Sequence, residues 1–457
     1  MKLARFVRAL LFFTVMIALA SCGGGTMTNT PPATPSMGTV AVLGTDAPMP
    51  NVLAFNITIS GLTVTDGTNT ASLIAGPQEV EFSRLNGLRT LLSLRDIPAG
   101  TYTSFTATLA NPTISILDTT VSPPAVTVIN GTLAQSSITV TFPQPLVVTA
   151  GGLVNVLVDL RLGDSLETNA AGQLTGVVRP RIVIRAIPPD APEAEIDDLI
   201  GGVVSVNLAG NSFVIQGPHG RQLTVVVDSQ TTWSDGDSLA TLDTNTTVAV
   251  TGTIQRGSLT VKATDVVVLT NDRFHVGGLL TDVRPPTGPA NAVDLLVRTE
   301  IPDLAGVQIG RVSTFTFDGN ERFLIAHLRL PFAPFLFNRA SLVAGQRVSL
   351  GGAVSGNTLD VRRVVLHQQG LEGNWVPGST NGPVFHMRVA GITGALFGDP
   401  VRVITSDRTR FIGLSGTGAL TGPDPIPLRV VGLVLEDDVT GKPLVIARVV
   451  EKRTPGQ

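Results

Sequence analysis

Val248-Ala249-Val250-Thr251-Gly252, Val348-Ser349-Leu350-Gly351-Gly352 and Leu428-Arg429-Val430-Val431-Gly432 each place two apolar residues and a glycine at offsets of zero, two and four. Alternation at period two marks a half-buried strand, and the shared glycine marks a close backbone approach. A turn glycine follows each stretch (Gly257, Gly356, Gly441), then another strand. In the last two copies that strand repeats with one spacing, Leu359, Val361, Arg363, Val364, Val365 against Leu444, Ile446, Arg448, Val449, Val450. Upstream, a strand runs into an aspartate-bearing turn and then an aromatic: Val225 to Asp228 then Trp233, Phe315 to Asp318 then Phe323, Val401 to Asp407 then Phe411, the last with one residue fewer after its aspartate. Register shared at three places predicts one small unit used three times. Each offers about five strands closed by a hairpin, the size of an OB- or SH3-like β-barrel. The expected repeats are 200–271, 272–369 and 370–457, with insertions in the second near Pro285 to Gly310 and Ala326 to Ala340.

Working toward the N-terminus, residues 38–187 also alternate, through Val40, Val42, Leu53, Phe55, Ile57, Ile59, Tyr102, Phe105, Ala107 and Leu109. Turn signals at Asp66-Gly67, Pro98-Ala99-Gly100, Asn111-Pro112, Pro123-Pro124 and Asn130-Gly131 break the strands at the spacing of a β-sandwich. Leu85, Leu88, Leu91 and Leu92 form the one patch with helical spacing, which reads equally as an irregular crossover. The Pro-bearing acidic stretch 188–199 reads as a linker, with Glu193, Glu195, Asp197 and Asp198 solvated rather than binding metal. The expected fold is all-β: an N-terminal β-sandwich followed by three small barrels.

Composition agrees. Of 457 residues, 43% are apolar and 15% charged, which fits several packed domains. A net charge of −3 and no basic stripe argue against a nucleic-acid partner. Trp233, Trp375 and Tyr102 are the only Trp or Tyr residues, a thin platform for stacking bases. Trp233, Phe323 and Phe411 read instead as plugs of their barrels.

The first residues set an address. Lys2, Arg5 and Arg8 precede an apolar run from Ala9 to Leu19 that is short for a membrane span. The run ends in Leu19-Ala20-Ser21-Cys22-Gly23 and resembles the lipobox of bacterial lipoproteins. That resemblance implies cleavage before Cys22, acylation of Cys22 (palmitate among the acyl chains), and, with Gly23 rather than Asp next, sorting to the outer membrane. Residues 1–22 would be the signal peptide and lipobox, and 23–37, rich in Gly, Thr and Pro, a flexible tether. Cys22 is the single cysteine, so no disulfide framework or cysteine-based zinc site is available.

Two further resemblances concern the folded part. Thr39 to Pro48, the strands of Val52 to Val64, Leu91-Leu92-Ser93-Leu94, Ile97 to Tyr102, Val158-Asp159-Leu160 and Val178-Arg179-Pro180 occur in the order seen in the domain-of-unknown-function 4382 family of exported bacterial proteins. The repeats resemble the domain-of-unknown-function 5666 family, the first copy best, through Gly201-Gly202-Val203-Val204, Asp228-Ser229-Gln230-Thr231 and Val248 to Gly252; in the second copy Glu321 replaces Thr231. Neither family brings an assigned chemistry, so these resemblances imply folds and an exported setting.

Chemistry-bearing motifs are sparse. The sequence contains no His-Glu-Xaa-Xaa-His, phosphate-loop lysine or Gly-Xaa-Ser-Xaa-Gly, although Gly413 to Gly418 comes near the last. His219, His275, His327, His367 and His386 are widely spaced and read as scattered solvent or edge residues. Asp159 with Asp164, and Glu436 with Asp437 and Asp438, sit in turn-like contexts. Asp46 reads as a turn-closing residue, or alternatively as a calcium ligand with Asp66 or Asp159. Leu330 to Phe337, with Phe332, Phe335 and Phe337 and two prolines, is either a partner patch or a loop packed on a barrel, and packing is favoured. No cofactor, metal or catalytic residue is expected. The expectation is a lipid-anchored envelope protein acting as a non-enzymatic binding or scaffolding module for a protein or glycan. The alternative is an accessory glycan-processing enzyme that uses carboxylates brought together between domains.

Overall fold

The computed structural model describes residues 36–453 apart from 48–51, 86–89, 119–124, 171, 188–193, 217–221, 235, 245, 255–259, 271, 303, 327–335, 357, 399 and 438–439. The expected signal peptide, Cys22 and the expected tether up to residue 35 lie outside the described residues. Among the described residues strands predominate, and no helix is long and apolar enough to cross a membrane.

The N-terminal domain is a sandwich. One sheet orders strands Ile182–Ile187, Leu153–Arg161, Met37–Ala47 and Thr90–Pro98; the second is built around the long pair Val52–Thr65 and Gly100–Asp118. Val40, Val42, Val156 and Val158 face Phe55, Ile57, Phe105 and Leu109 across the interior, as period-two alternation requires. The patch with helical spacing resolves into a 3-10 turn, Phe82–Leu85, and part of the strand Thr90–Pro98, because Leu91 and Leu94 are taken up by pairing with Leu43 and Ala41.

Each of the three six-stranded units that follow has the same strand order: third, second, first, fifth, sixth, fourth. The first unit runs from Ala194–Asn207 to Thr260–Leu269, the second from Arg273–Arg284 to Thr358–His367, the third from Gln369–Trp375 to Pro443–Lys452. In the first and third the third strand also pairs in parallel with the sixth, which closes a five-stranded barrel of the OB kind. The strand beyond the expected five is the short fourth one, carrying Trp233, Phe323 or Phe411, laid parallel to the sixth opposite Val266, Val364 and Val450. These aromatics pack against the cores of their own barrels.

Three details differ from the sequence reading. The stretch 188–199 is not all linker, because the first strand already pairs from Ala194, opposite Ile254. In the third barrel the turn opens at Ser406 rather than Asp407: Arg408 N donates to Ser406 Oγ at 3.1 Å just as Gln230 N donates to Asp228 Oδ1 at 2.8 Å, so all three turns keep equal spacing to the aromatic. The last strands align one residue away from their apparent spacing. Val364 lies opposite Leu350 and Val450 opposite Val430, so Arg363 corresponds to Val449 and Arg362 to Arg448. The same bulge beside the glycine of each fifth strand skips Thr264, Arg362 and Arg448 in the ladder, so these three residues occupy equivalent positions.

Residues 36–457 form one compact unit. The sheet face of the sandwich opposite its own core carries Ala41, Leu43, Leu94 and Leu157, which join Ile196, Phe213 and Val250 of the first barrel in one apolar cluster. Leu53 of the sandwich meets Leu279 and Leu296 of the second barrel. Leu433, Leu435, Leu444 and Ile446 of the third barrel join the core of the second, as do Ala290, Val307 and Phe337 from its insertions.

Candidate functional site

Where these domains meet, charge is buried. Asp265, on the last strand of the first barrel, forms an ion pair with Arg363, on the last strand of the second, and both are almost fully buried. Asp265 Oδ1 also accepts from Thr232 Oγ1 at 2.5 Å. Burial is the largest influence on Asp265 and opposes ionisation, yet Arg363, with His367, Thr232 and His275, outweighs it and holds the carboxyl below its ordinary value. Ser349 Oγ lies 2.8 Å from His367 Nε2.

A second cluster joins the sandwich to the third barrel. Asp159 extends from the sheet face that carries Leu157, and is 3% exposed. Its Oδ1 has no hydrogen-bond donor among the described residues. Burial raises its pKa, and Arg453, Arg161 and Arg185 reverse this only in part. Glu372 of the third barrel forms an ion pair with Arg453. Burial raises Glu372 as well, against Arg453 and Arg429, and the charge of Asp159 adds to the rise. A third contact, Arg298 to Glu81 at 2.9 Å, joins the second barrel to the sandwich.

Between the first two barrels lies a cavity of about 150 Å³. It is lined by Val267, Val268, Phe274 and Ala353, and by Arg273, Arg362 and Arg363. Of these arginines Arg363 alone is named from the sequence, as a position of the repeat and not as a site residue. The signal was present, as Arg362-Arg363 interrupts a run of buried valines, a place where a charge needs a partner.

The sequence-derived candidates fall as follows. Cys22, Phe332, Phe335, His219 and His327 lie outside the described residues, as does the side chain of Asp46. Phe337 is 8% exposed and stacks edge-on against Phe323 at 5.5 Å, so it belongs to the core of the second barrel rather than to an exposed patch; its neighbour Leu336 is 86% exposed. Asp66 binds its own turn: Asn69 N and Thr68 N donate to Oδ1 at 2.6 and 2.7 Å and hold the carboxyl below its usual value. Asp164 is 3.6 Å from Arg161, and Asp437 is 2.8 Å from Arg402. His275 and His367, expected as scattered edge residues, are buried together around Asp265, because one starts the first strand of the second barrel and the other ends its last. No group of three or more His, Cys, Asp or Glu able to hold a metal occurs among the described residues. Trp375 and Tyr102 are buried, and Trp233 packs against Phe213 at 6.3 Å.

Comparison with known proteins adds a class for the first domain. Residues 37–175 match the model of the domain of unknown function DUF4382, in agreement with the blocks quoted from Thr39 to Leu160; Val178-Arg179-Pro180 lies beyond the match. The sandwich is thus similar to that family, whose description assigns it no chemistry. No curated protein matches the chain. A solved structure titled "drosophila Unr CSD456" is 10% identical, with 58% of this chain and 98% of that chain covered, at a TM-score of 0.13.

Proposed function

We propose that the chain is a lipoprotein of the bacterial cell envelope, acylated at Cys22 and carried to the outer membrane. Its folded unit acts as a non-enzymatic binding or scaffolding module for a protein or glycan partner, and its three barrels are of the kind found in the domain-of-unknown-function 5666 family. The observation that carries the binding reading is the use made of buried charge. Asp265 with Arg363 and Glu81 with Arg298 each bridge two domains, and Arg453, paired with Glu372 within the third barrel, also acts on the buried Asp159 of the sandwich. Such pairs fix one arrangement of sandwich and barrels and present their outer surfaces as a rigid platform, which limits the ordering cost of binding.

One observation favours the second reading, an accessory glycan-processing enzyme. Asp159 and Glu372 are carboxylates from two domains, electrostatically coupled, and both have raised pKa values, as a general acid requires. The experiment that separates the readings uses the full chain in detergent. Incorporation of a fatty-acid analogue in the wild type and its loss in Cys22→Ser tests the anchor. Co-sedimentation with insoluble envelope glycan, without turnover of glycan, ester or peptide substrates, supports the binding module. Turnover that vanishes in Asp159→Asn or Glu372→Gln would establish the enzyme instead.

A further inference from the structure

We propose that the cavity between the first and second barrels receives the acetamido group of an N-acetylated sugar, with Arg363 Nε donating to its carbonyl oxygen. This rests on the glycan arm of the reading above. Arg363 is 3% exposed; its Nη2 serves Asp265 and Thr232, while its Nε has no acceptor among the described residues. A buried guanidinium N–H without an acceptor is costly, so an acceptor entering the cavity that Arg363 lines is strongly favoured.

Size and wall chemistry narrow the class of ligand. A cavity of about 150 Å³ takes a group of about six heavy atoms. Val267, Val268 and Phe274 suit a methyl rather than a hydroxyl. Charge excludes an anion. Arg273 is held by Asp237 and Arg362 by Asp360, each at 2.5 Å, Arg363 is held by Asp265, and Asp272 adds a fourth carboxylate beside three guanidiniums. A phosphate or free carboxylate would meet guanidiniums that each already hold a carboxylate, with Asp272 beside them, whereas a neutral amide carbonyl only accepts a hydrogen bond.

The test is saturation-transfer NMR on the full chain in detergent, with N-acetylglucosamine, glucosamine and acetate as probes. The acetyl methyl of N-acetylglucosamine should saturate strongly, and glucosamine should bind roughly tenfold or more weakly. Arg363→Lys keeps a cation beside Asp265 but removes Nε, and Ala353→Phe fills the cavity from an exposed rim position. Each should weaken N-acetylglucosamine by roughly tenfold or more, and a thermal melt shows whether the fold survives. Equal binding in a folded Ala353→Phe variant, or acetate binding as tightly as N-acetylglucosamine, overturns the proposal. If none of the three probes binds while the chain still sediments with envelope glycan, the cavity assignment fails and the glycan reading stands. Loss of sedimentation as well removes both.

Discussion

Arg298 in the second barrel donates to Glu81 in the sandwich at 2.9 Å, across 217 residues of chain. Glu81 is already committed locally, since Phe55 N and Ser83 N donate to its other oxygen at 2.9 and 3.0 Å. The guanidinium therefore docks on a carboxylate that the sandwich has fixed. Removing one partner of a buried pair leaves the other desolvated and costs about 3–5 kcal/mol. Arg298→Ala should accordingly lower the stability of the whole unit by that order, as read from the urea midpoint of the full chain. A loss below about 1 kcal/mol would show that the pair does not hold the domains together.

A side chain on Gly252 would collide with the carbonyl of Lys262, as would one on Gly352 with Asp360 and one on Gly432 with Ile446. These are the glycines of the repeated motif, and each stands beside the bulge of its barrel. Because the obstacle is backbone, the strand pair must separate to admit a Cβ. Gly252→Val should cost about 3 kcal/mol or more, at the upper end for overpacking. Amide exchange should rise in residues 247–269 and stay unchanged in the third barrel. Uniform loss of protection would mean that the barrels do not unfold separately.

The repeat was legible because alternation and a sterically required glycine are both local signals. What escaped was set by backbone details that spacing does not encode. The shared bulge makes Arg362, not Arg363, the counterpart of Arg448, one residue away from the apparent spacing, and in a strand one residue exchanges the two faces. Ser406 does with a hydroxyl what Asp228 does with a carboxylate, so a search for aspartate lands one residue late. The buried charges were hidden for a different reason. Arg363 finds Asp265 98 residues upstream, and Asp159 meets Glu372 only because the third barrel folds back on the sandwich. Such pairings depend on how the domains are arranged in space, which the order of domains along the chain does not encode.

The cluster of Asp159 and Glu372 gives stability a pH dependence opposite to that of ordinary ion pairs. Burial lifts both folded-state pKa values above the unfolded ones. Their contribution is therefore most favourable at low pH, where both are protonated, and is lost as pH rises from the ordinary carboxylate range through the raised values. Asp159→Asn keeps the shape and removes the charge. It should stabilise the full chain at pH 8 and have little effect at pH 4, because the desolvated charge it removes is present only at the higher pH. Equal effects at the two pH values, or destabilisation at pH 8, would show that Asp159 is ionised and well paired in the folded protein.

Phe337 and Leu336 are adjacent, yet their substitutions should differ sharply. Phe337 is 8% exposed, packs on Phe323 and belongs to the cluster that contains Val348, Val364 and Leu435, whereas Leu336 is 86% exposed. Truncating a buried phenylalanine costs about 3–5 kcal/mol, and a serine hydroxyl left there without a partner adds to the loss. Leu336→Ser removes an exposed side chain and should fall within about 0.5 kcal/mol of the wild type. The urea midpoints of the two variants check this directly. If both are near wild type, Phe337 is not part of the core and the insertion is again a candidate partner surface. If Phe337→Ser alone is destabilised, any weakening of envelope-glycan binding in that variant reflects an unfolded second barrel. Leu336→Ser then becomes the variant that tests whether the exposed part of the insertion touches a partner.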